Sequence, residues 1–218
     1  MANSFQQEQE TPELEMLSEL AENLVYRLPR CEEVMIRKTI QEVFREFCRE
    51  TKCLTAERMI DLQPGERHYP LTAVFGGVVT GVRTVTIGCR RLRLGFDYVT
   101  RGANPLVLSL WSYWVRKEPC CVPLAEAHIH AKPYVMRVLQ EEVPSLNSEK
   151  VPRGFIDLNG EAICSGVIAR LCAMSGRSWS DPQVAALERV NYENAKSEMR
   201  MKMETPLGGR FIDTSQVL

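Results

Sequence analysis

The apolar side chains of this chain change period twice, from helical to alternating and back, and that restricts the fold to a mixed class. From Glu32 to about Lys52, Ile36, Ile40, Val43, Phe44 and Phe47 recur at i, i+4, i+7, i+8 and i+11, one stripe of a helix. Arg37, Lys38, Gln41, Glu42, Arg45, Glu46 and Arg49 take the other face, so the stripe covers a core while the charged face meets water or a neighbour. Upstream, Thr11 followed by Pro12 is a helix-start signal. Leu14, Leu17, Leu20, Leu24 and Leu28 then recur at helical spacing until Pro29 stops the run. The spacing predicts two helices before about residue 60.

Between about 60 and 140 the period becomes two. After the Pro-Gly turn signal in "DLQPGERHYPL" come "VVTGVRTVTI", "RRLRLGF", "PLVLSLWSYW" and "VPLAEAHIHA", each short, rich in β-branched or aromatic residues and bounded by turn formers. They predict strands of an antiparallel sheet or small sandwich. Arg91 and Arg93 alternate with Leu92 and Leu94, the pattern of a sheet with one wet face.

The helical period then returns. Ile163, Val167 and Leu171 share a face, with Gly166 and Ala169 admitting a close helix neighbour, until Ser175 and Gly176 end the helix. Ser180, Pro182 and Gln183 form a capping-box pattern for the next helix. Beyond Lys196, Met199, Met201 and Met203 alternate with Arg200 and Lys202, a period that predicts fraying. The expected architecture is α+β: a helical bundle from residues 1–60 and 141–203, with an inserted antiparallel β-sheet or small β-sandwich lobe over 61–140. Residues 204–218 follow as an extended C-terminal arm.

Composition narrows the function classes. With 44% hydrophobic and 25% charged residues the chain is globular. Its 27 lysines and arginines nearly balance 28 aspartates and glutamates, so no net field draws it to nucleic acid or to an anionic membrane. The polar, acidic start "MANSFQQEQETPELE" lacks signal-peptide order, and no apolar run approaches the ~20 residues of a membrane span. The eight cysteines, Cys31, Cys48, Cys53, Cys89, Cys120, Cys121, Cys164 and Cys172, show neither a C-x-x-C pair nor regular spacing; they are expected as small reduced core residues.

Candidate chemistry is sparse. His128 and His130 sit at i and i+2 with Glu126 on the same face, but no third ligand is evident, and a solvated strand face explains them better than a metal. Cys120 or Cys121 beside His128 is a nucleophile–base pair without an orienting third group. "FGGVVTG" has no lysine and no helix after it, so it is not a phosphate loop. Arg90, Arg91 and Arg93 form the densest basic cluster, which a wet strand face explains as well as a phosphate contact does. No catalytic, metal or cofactor site is expected.

Two stretches carry a resemblance. "LPRCEEVMIRKTIQEVFREFCRETKCL" followed by "IDLQPGERHYPL" resembles the opening of a family of tailed-phage virion proteins, the head-to-tail adaptors, also called tail tubular or gatekeeper proteins. In that family a Leu-Pro-x-Cys stretch leads into a helix ending Phe-Cys-x-x-Thr, then a turn before the first strand. The closing "IARLCAMSGRSWSDPQVAALERVNYENAKSEMR" is similar to the same family's ending, an Ala-Arg-Leu helix, a Gly-x-x-Trp-Ser-Asp-Pro hinge and a long final helix. Together they cover roughly residues 28–71 and 160–203; the strands between match only in type.

The resemblance implies a structural virion protein, not an enzyme, located in the neck between head and tail and assembled in the host cytoplasm. It implies a homo-oligomeric ring of twelve copies beneath the portal protein, joined below to a tail nozzle or tail tube protein, with double-stranded DNA passing through unread. In the hinge, Gly176 ends one helix, Trp179 is an apolar anchor, and Ser180 and Pro182 start the next. The C-terminal arm is implied to dock between portal subunits through Leu207, Arg210, Phe211, Ile212 and Leu218. The alternatives are a tail-completion or nozzle ring of the same virion, or a cysteine hydrolase built on Cys120 or Cys121.

Overall fold

The computed structural model describes residues 14–62, 66–88, 90–95, 98–102, 106–110, 135–145, 148, 150–152 and 154–204. They form an α+β fold of four helices and antiparallel sheets. The chain divides into two compact units. One holds Met1–Val43, Glu149–Ala195 and Glu204–Leu218, the other Phe44–Ser148 and Lys196–Met203.

In the first unit β1 (Leu14–Met16) pairs antiparallel with β9 (Lys150–Pro152). This corrects the expected helix start: Leu14 is in a strand, and α1 (Ser18–Arg27) begins four residues later. The pairing partner comes from a remote part of the sequence, so leucine spacing could not reveal it. Thr11 and Pro12 lie outside the described residues. The rest of the stripe holds, with Leu17, Leu20, Leu24 and Leu28 all buried. The Leu28 N–H closes the helix on the Leu24 carbonyl, and Pro29 follows.

The other helices are α2 (Glu33–Thr51), α3 (Phe155–Cys172) and α4 (Pro182–Glu204). In the first unit α2 buries Ile36, Ile40 and Val43, and α3 buries Ile163, Val167 and Leu171 on the expected face. Each such aliphatic side chain contributes about 1.5–3 kcal/mol by leaving water. A Cβ on Gly166 would lie 2.7 Å from Val43 Cγ1 and 2.9 Å from the Tyr192 ring, so glycine lets α3 approach both neighbouring helices closely. The Tyr192 hydroxyl donates to the Val43 carbonyl at 3.4 Å, and Arg27 reaches Glu161 of α3 and Glu188 of α4.

The second unit contains the end of α2 and two sheets. One is ordered β2 (Thr55–Asp61), β8 (Val135–Val143), β4 (Val78–Ile87), β5 (Arg90–Leu92); the other β3 (His68–Leu71), β7 (Leu106–Leu110), β6 (Tyr98–Arg101). Their facing side chains, among them Tyr69, Leu71, Val85, Ile87, Tyr98, Leu108, Met136 and Val138, form one apolar cluster. The span of β4 coincides with "VVTGVRTVTI", and β7 alternates buried Leu106, Leu108 and Leu110 as its sequence predicts. In "RRLRLGF" the strand is shorter than expected: Leu92 is buried, but Leu94 lies beyond β5 and is 61% exposed.

Strands also occupy stretches expected to be helical, since β2 starts at Thr55 and β8 runs to Val143. Along β8 the inward positions pass from Met136 and Val138 to Gln140 and Glu142, which are fully buried. The Glu142 carboxylate accepts the backbone N–H groups of Val74 and Phe75 at 2.8 and 3.0 Å, and Gln140 Nε2 donates to the Thr72 carbonyl and to Glu142 Oε1. Buried polar groups with partners of this kind are tolerated, but they erase the apolar alternation that marks a strand.

Candidate functional site

The segment between α3 and α4 carries the singled-out Gly176, Trp179, Ser180 and Pro182. It is a closed corner tied at both ends. The Cys172 carbonyl accepts the Asp181 N–H at 2.9 Å and the Ser180 hydroxyl at 3.4 Å, while the Ser180 N–H donates to the Arg177 carbonyl. Gly176 takes φ +74°, the left-handed conformation glycine adopts without a steric penalty. Trp179 is half-buried, the Arg177 guanidinium lies 5.6 Å from its ring centroid, and its indole Nε1 is buried without a hydrogen-bond partner among the described residues.

The cap of α4 differs from the expected one. Asp181, not Ser180, caps the helix: its Oδ1 accepts the N–H groups of Gln183 and Val184 at 3.0 and 3.1 Å. Pro182 is the first helical residue, so the capping position falls on Asp181, and the Ser180 hydroxyl is drawn back to α3. Past the cap, Val184, Leu187 and Val190 are exposed at i, i+3 and i+6, one apolar face of α4. On α2, Glu33, Val34, Arg37 and Lys38 are exposed, with Arg37 paired to Glu33.

Helix α4, whose residues Lys196–Met203 belong to the second unit, continues unfrayed to Glu204, correcting the expectation drawn from the methionine alternation. Lys196 is buried at 3% side-chain exposure, its ammonium 3.0 Å from Glu50 and 3.5 Å from Glu46, and Arg200 reaches Glu50 at 2.7 Å. Burial pushes the Glu50 carboxyl up, but the hydrogen bond and charge of Lys196, with the Arg200 guanidinium, outweigh it and hold the group below its usual value. At the helix end Arg83 of β4 donates to the Met203 carbonyl, to the Lys52 carbonyl just after α2, and to Glu141. One guanidinium thus meets the negative ends of two helix dipoles. Sequence periodicity carries no trace of these contacts, because they join segments far apart in the chain.

The thiols fall into two kinds. Burial pushes Cys164 up to about 11, and it raises Cys31 and Cys172 in the same sense, so these three are weak nucleophiles. Burial pushes the Cys48 thiol well above its ordinary value, while Cys53 is drawn below its own, first by the neighbouring Cys48 and against the opposing effect of burial. Cys89, Cys120, Cys121, Glu126, His128 and His130, and the arm residues Leu207, Arg210, Phe211, Ile212 and Leu218, lie outside the described residues. Arg91 and Arg93 are exposed, as a wet strand face requires.

Among the described residues no cluster of three metal-ligating side chains converges. A cleft of about 240 Å³ between Leu71, Thr72, Ala73, Gly77, Val79 and Leu106 is smaller than the ~300–1,000 Å³ of ordinary ligand pockets. No described helix is long and apolar enough to cross a membrane. Compared with protein-family models and with curated proteins, the chain matches none.

Proposed function

We propose that this protein is a structural virion protein: a head-to-tail adaptor that forms a ring, of twelve copies, joining the portal to the tail and continuing the DNA channel. One observation carries the proposal, the occurrence of both adaptor-like stretches, residues 28–71 and 160–203, in the family's order. On this reading the helices from both ends of the chain make one bundle, and the strands between are an inserted lobe. Residues 204–218 are the arm that docks on the portal through Leu207, Arg210, Phe211, Ile212 and Leu218. A ring needs two different surfaces on each copy. The exposed apolar face Val184, Leu187 and Val190, and the charged face around Arg37 and Lys38, support that requirement. DNA passes without sequence recognition, and Arg90, Arg91 and Arg93 belong to a wet outer face. The protein is no enzyme, needs no cofactor, and resides in the virion neck after assembly in the host cytoplasm.

The test is the mass of the purified full chain with and without portal rings, by light scattering and native mass spectrometry. The expected result is a monomer alone and twelve copies bound per portal ring. Failure to bind portal, or a stable twelve-copy ring in its absence, overturns the proposal. Binding only when other tail proteins are present assigns the chain to a tail-completion or nozzle ring instead.

A further inference from the structure

The charges of this chain are segregated along it. Residues 1–26 hold Glu8, Glu10, Glu13, Glu15, Glu19 and Glu22 and no lysine or arginine, whereas residues 82–101 hold five arginines and one acid, Asp97. The net charge is only −1, so the two signs are separated and neither is in excess. Helix α1 displays the acidic part. Its leucines are buried, and Glu19, Glu22 and Tyr26, at i, i+3 and i+7, share the opposite face; all three are exposed, Tyr26 at 86%.

The basic part lies on the larger sheet. Met59 of β2, Arg137 of β8, Thr86 of β4 and Arg91 of β5 stand opposite one another in one row across all four strands. Their neighbours along the strands, among them Met136, Val138, Val85, Ile87 and Leu92, are buried in the apolar cluster, so the row faces the other way. Met59, Arg91 and Arg137 are exposed. The two arginines stand two strands apart, about 9.5 Å at the backbone, a gap that long side chains can close on carboxylates held between them. Glu57, 4.0 Å from Arg137, and the exposed Asp61 occupy the β2 margin of the same face.

That acidic margin decides the partner. A nucleic-acid backbone, charged at every ~1.7 Å, would meet Glu57 and Asp61 as well as the arginines. A short acidic stripe can lie over the arginines alone, and α1 offers one with an aromatic beside it; tyrosine and arginine are the side chains that interfaces favour. We infer that the outward face of the larger sheet, at Arg91 and Arg137, binds the α1 stripe Glu19, Glu22 and Tyr26 of a second copy of this chain. The contact joins two different surfaces, so it repeats head to tail from copy to copy. Exposed ion pairs are individually weak, so it leaves a monomer at micromolar concentration and gains strength where copies are held side by side. It goes beyond the adaptor reading and needs no portal: failure of either leaves the other standing.

The test measures self-attraction of the full chain as the second virial coefficient in static light scattering. The screening length is ~30 Å at about 10 mM NaCl and below ~10 Å above about 100 mM. The wild type should show net attraction in the first condition and lose it in the second. Arg91→Glu with Arg137→Glu should abolish the attraction, as should Glu19→Lys with Glu22→Lys. Reversing all four keeps the net charge at −1 and should restore it. Reversing the sheet pair together with Glu32→Lys and Glu204→Lys, exposed residues outside the α1 stripe, gives the same net charge and should not. Should a reversed chain fail to fold by circular dichroism, Arg91→Gln with Arg137→Gln and Glu19→Gln with Glu22→Gln replace it, each expected to lose the low-salt attraction. No attraction in the wild type, attraction that survives either reversal, or equal recovery in both fourfold variants overturns the inference. Heparin binding lost in the sheet variant while self-attraction persists also overturns it and assigns the face to a polyanion.

Discussion

At the scale of single residues, the corner between α3 and α4 shows how one hydrogen bond decides which of two adjacent side chains matters. Ser180 and Asp181 are both good capping residues, yet only Asp181 reaches the first free N–H groups of α4. Asp181→Ala should therefore lower stability by about 1 kcal/mol, and Ser180→Ala by less than about 0.5 kcal/mol, in urea denaturation. Equal losses would return the cap to Ser180. Glu50 gives a pH prediction with a defined sign. Its carboxyl is depressed in the folded chain, so the stability it contributes is present above the ordinary carboxylate range of about 4–4.5 and is lost as pH falls through the lower folded value. Glu50→Gln should be less stable than the parent by about 1–3 kcal/mol near neutral pH, since Lys196 and Arg200 lose a charged acceptor. The gap should close below about pH 4. A gap that stays constant into acid would show that the Glu50 charge is not the stabilising element.

At the scale of elements, the two buried glycines of α3 separate helix propensity from packing. Replacing either glycine by alanine adds about 1 kcal/mol of helix propensity. At Gly166 the new methyl would press on Val43 and the Tyr192 ring at under 3 Å, an overpacking cost of about 1–3 kcal/mol. At Gly160 it meets only Leu20 Cδ2 and Ile156 Cγ2 at 3.2 and 3.3 Å, side-chain ends that can shift by a few tenths of an ångström. Thermal unfolding should show Gly166→Ala neutral to destabilised by about 2 kcal/mol, and Gly160→Ala at or above the parent. The reverse order would mean that α3 does not approach its neighbours most closely at Gly166. The last turns of α4 illustrate the opposite situation. Their own side chains alternate against the helical period, and Lys196, Arg200 and the Met203 carbonyl hold the helix through partners on α2 and β4.

At the scale of the whole molecule, the adaptor reading assigns residues 205–218 to a partner and not to this chain's own core. Deleting them should leave the melting temperature within about 2 °C of the parent, as loss of a segment outside the core does. The same deletion should abolish attachment to portal rings in co-sedimentation. Full portal binding by the truncated chain would remove the arm from the proposal. A fall of ten degrees in the melting temperature would place these residues in the core.

What this sequence determined by itself is what depends on neighbours within one or two turns or along one strand. The leucine stripe from Leu17 to Leu28 with its stop at Pro29, the stripes of α2 and α3, the span of β4 and the alternation of β7 all follow from local period and local turn chemistry. What only the tertiary structure decided is whatever takes its partner from far along the chain. Leu14 is in a strand because Pro152 and its neighbours pair with it, and β8 keeps Gln140 and Glu142 inside because the 72–75 backbone bonds the Gln140 amide nitrogen and both Glu142 oxygens. Helix α4 persists to Glu204 because Glu50 and Arg83 meet it. The left-handed turn at Lys52 belongs with these: the Arg83 guanidinium, from a strand far along the chain, donates to its carbonyl at 3.2 Å, and no local pattern announces it.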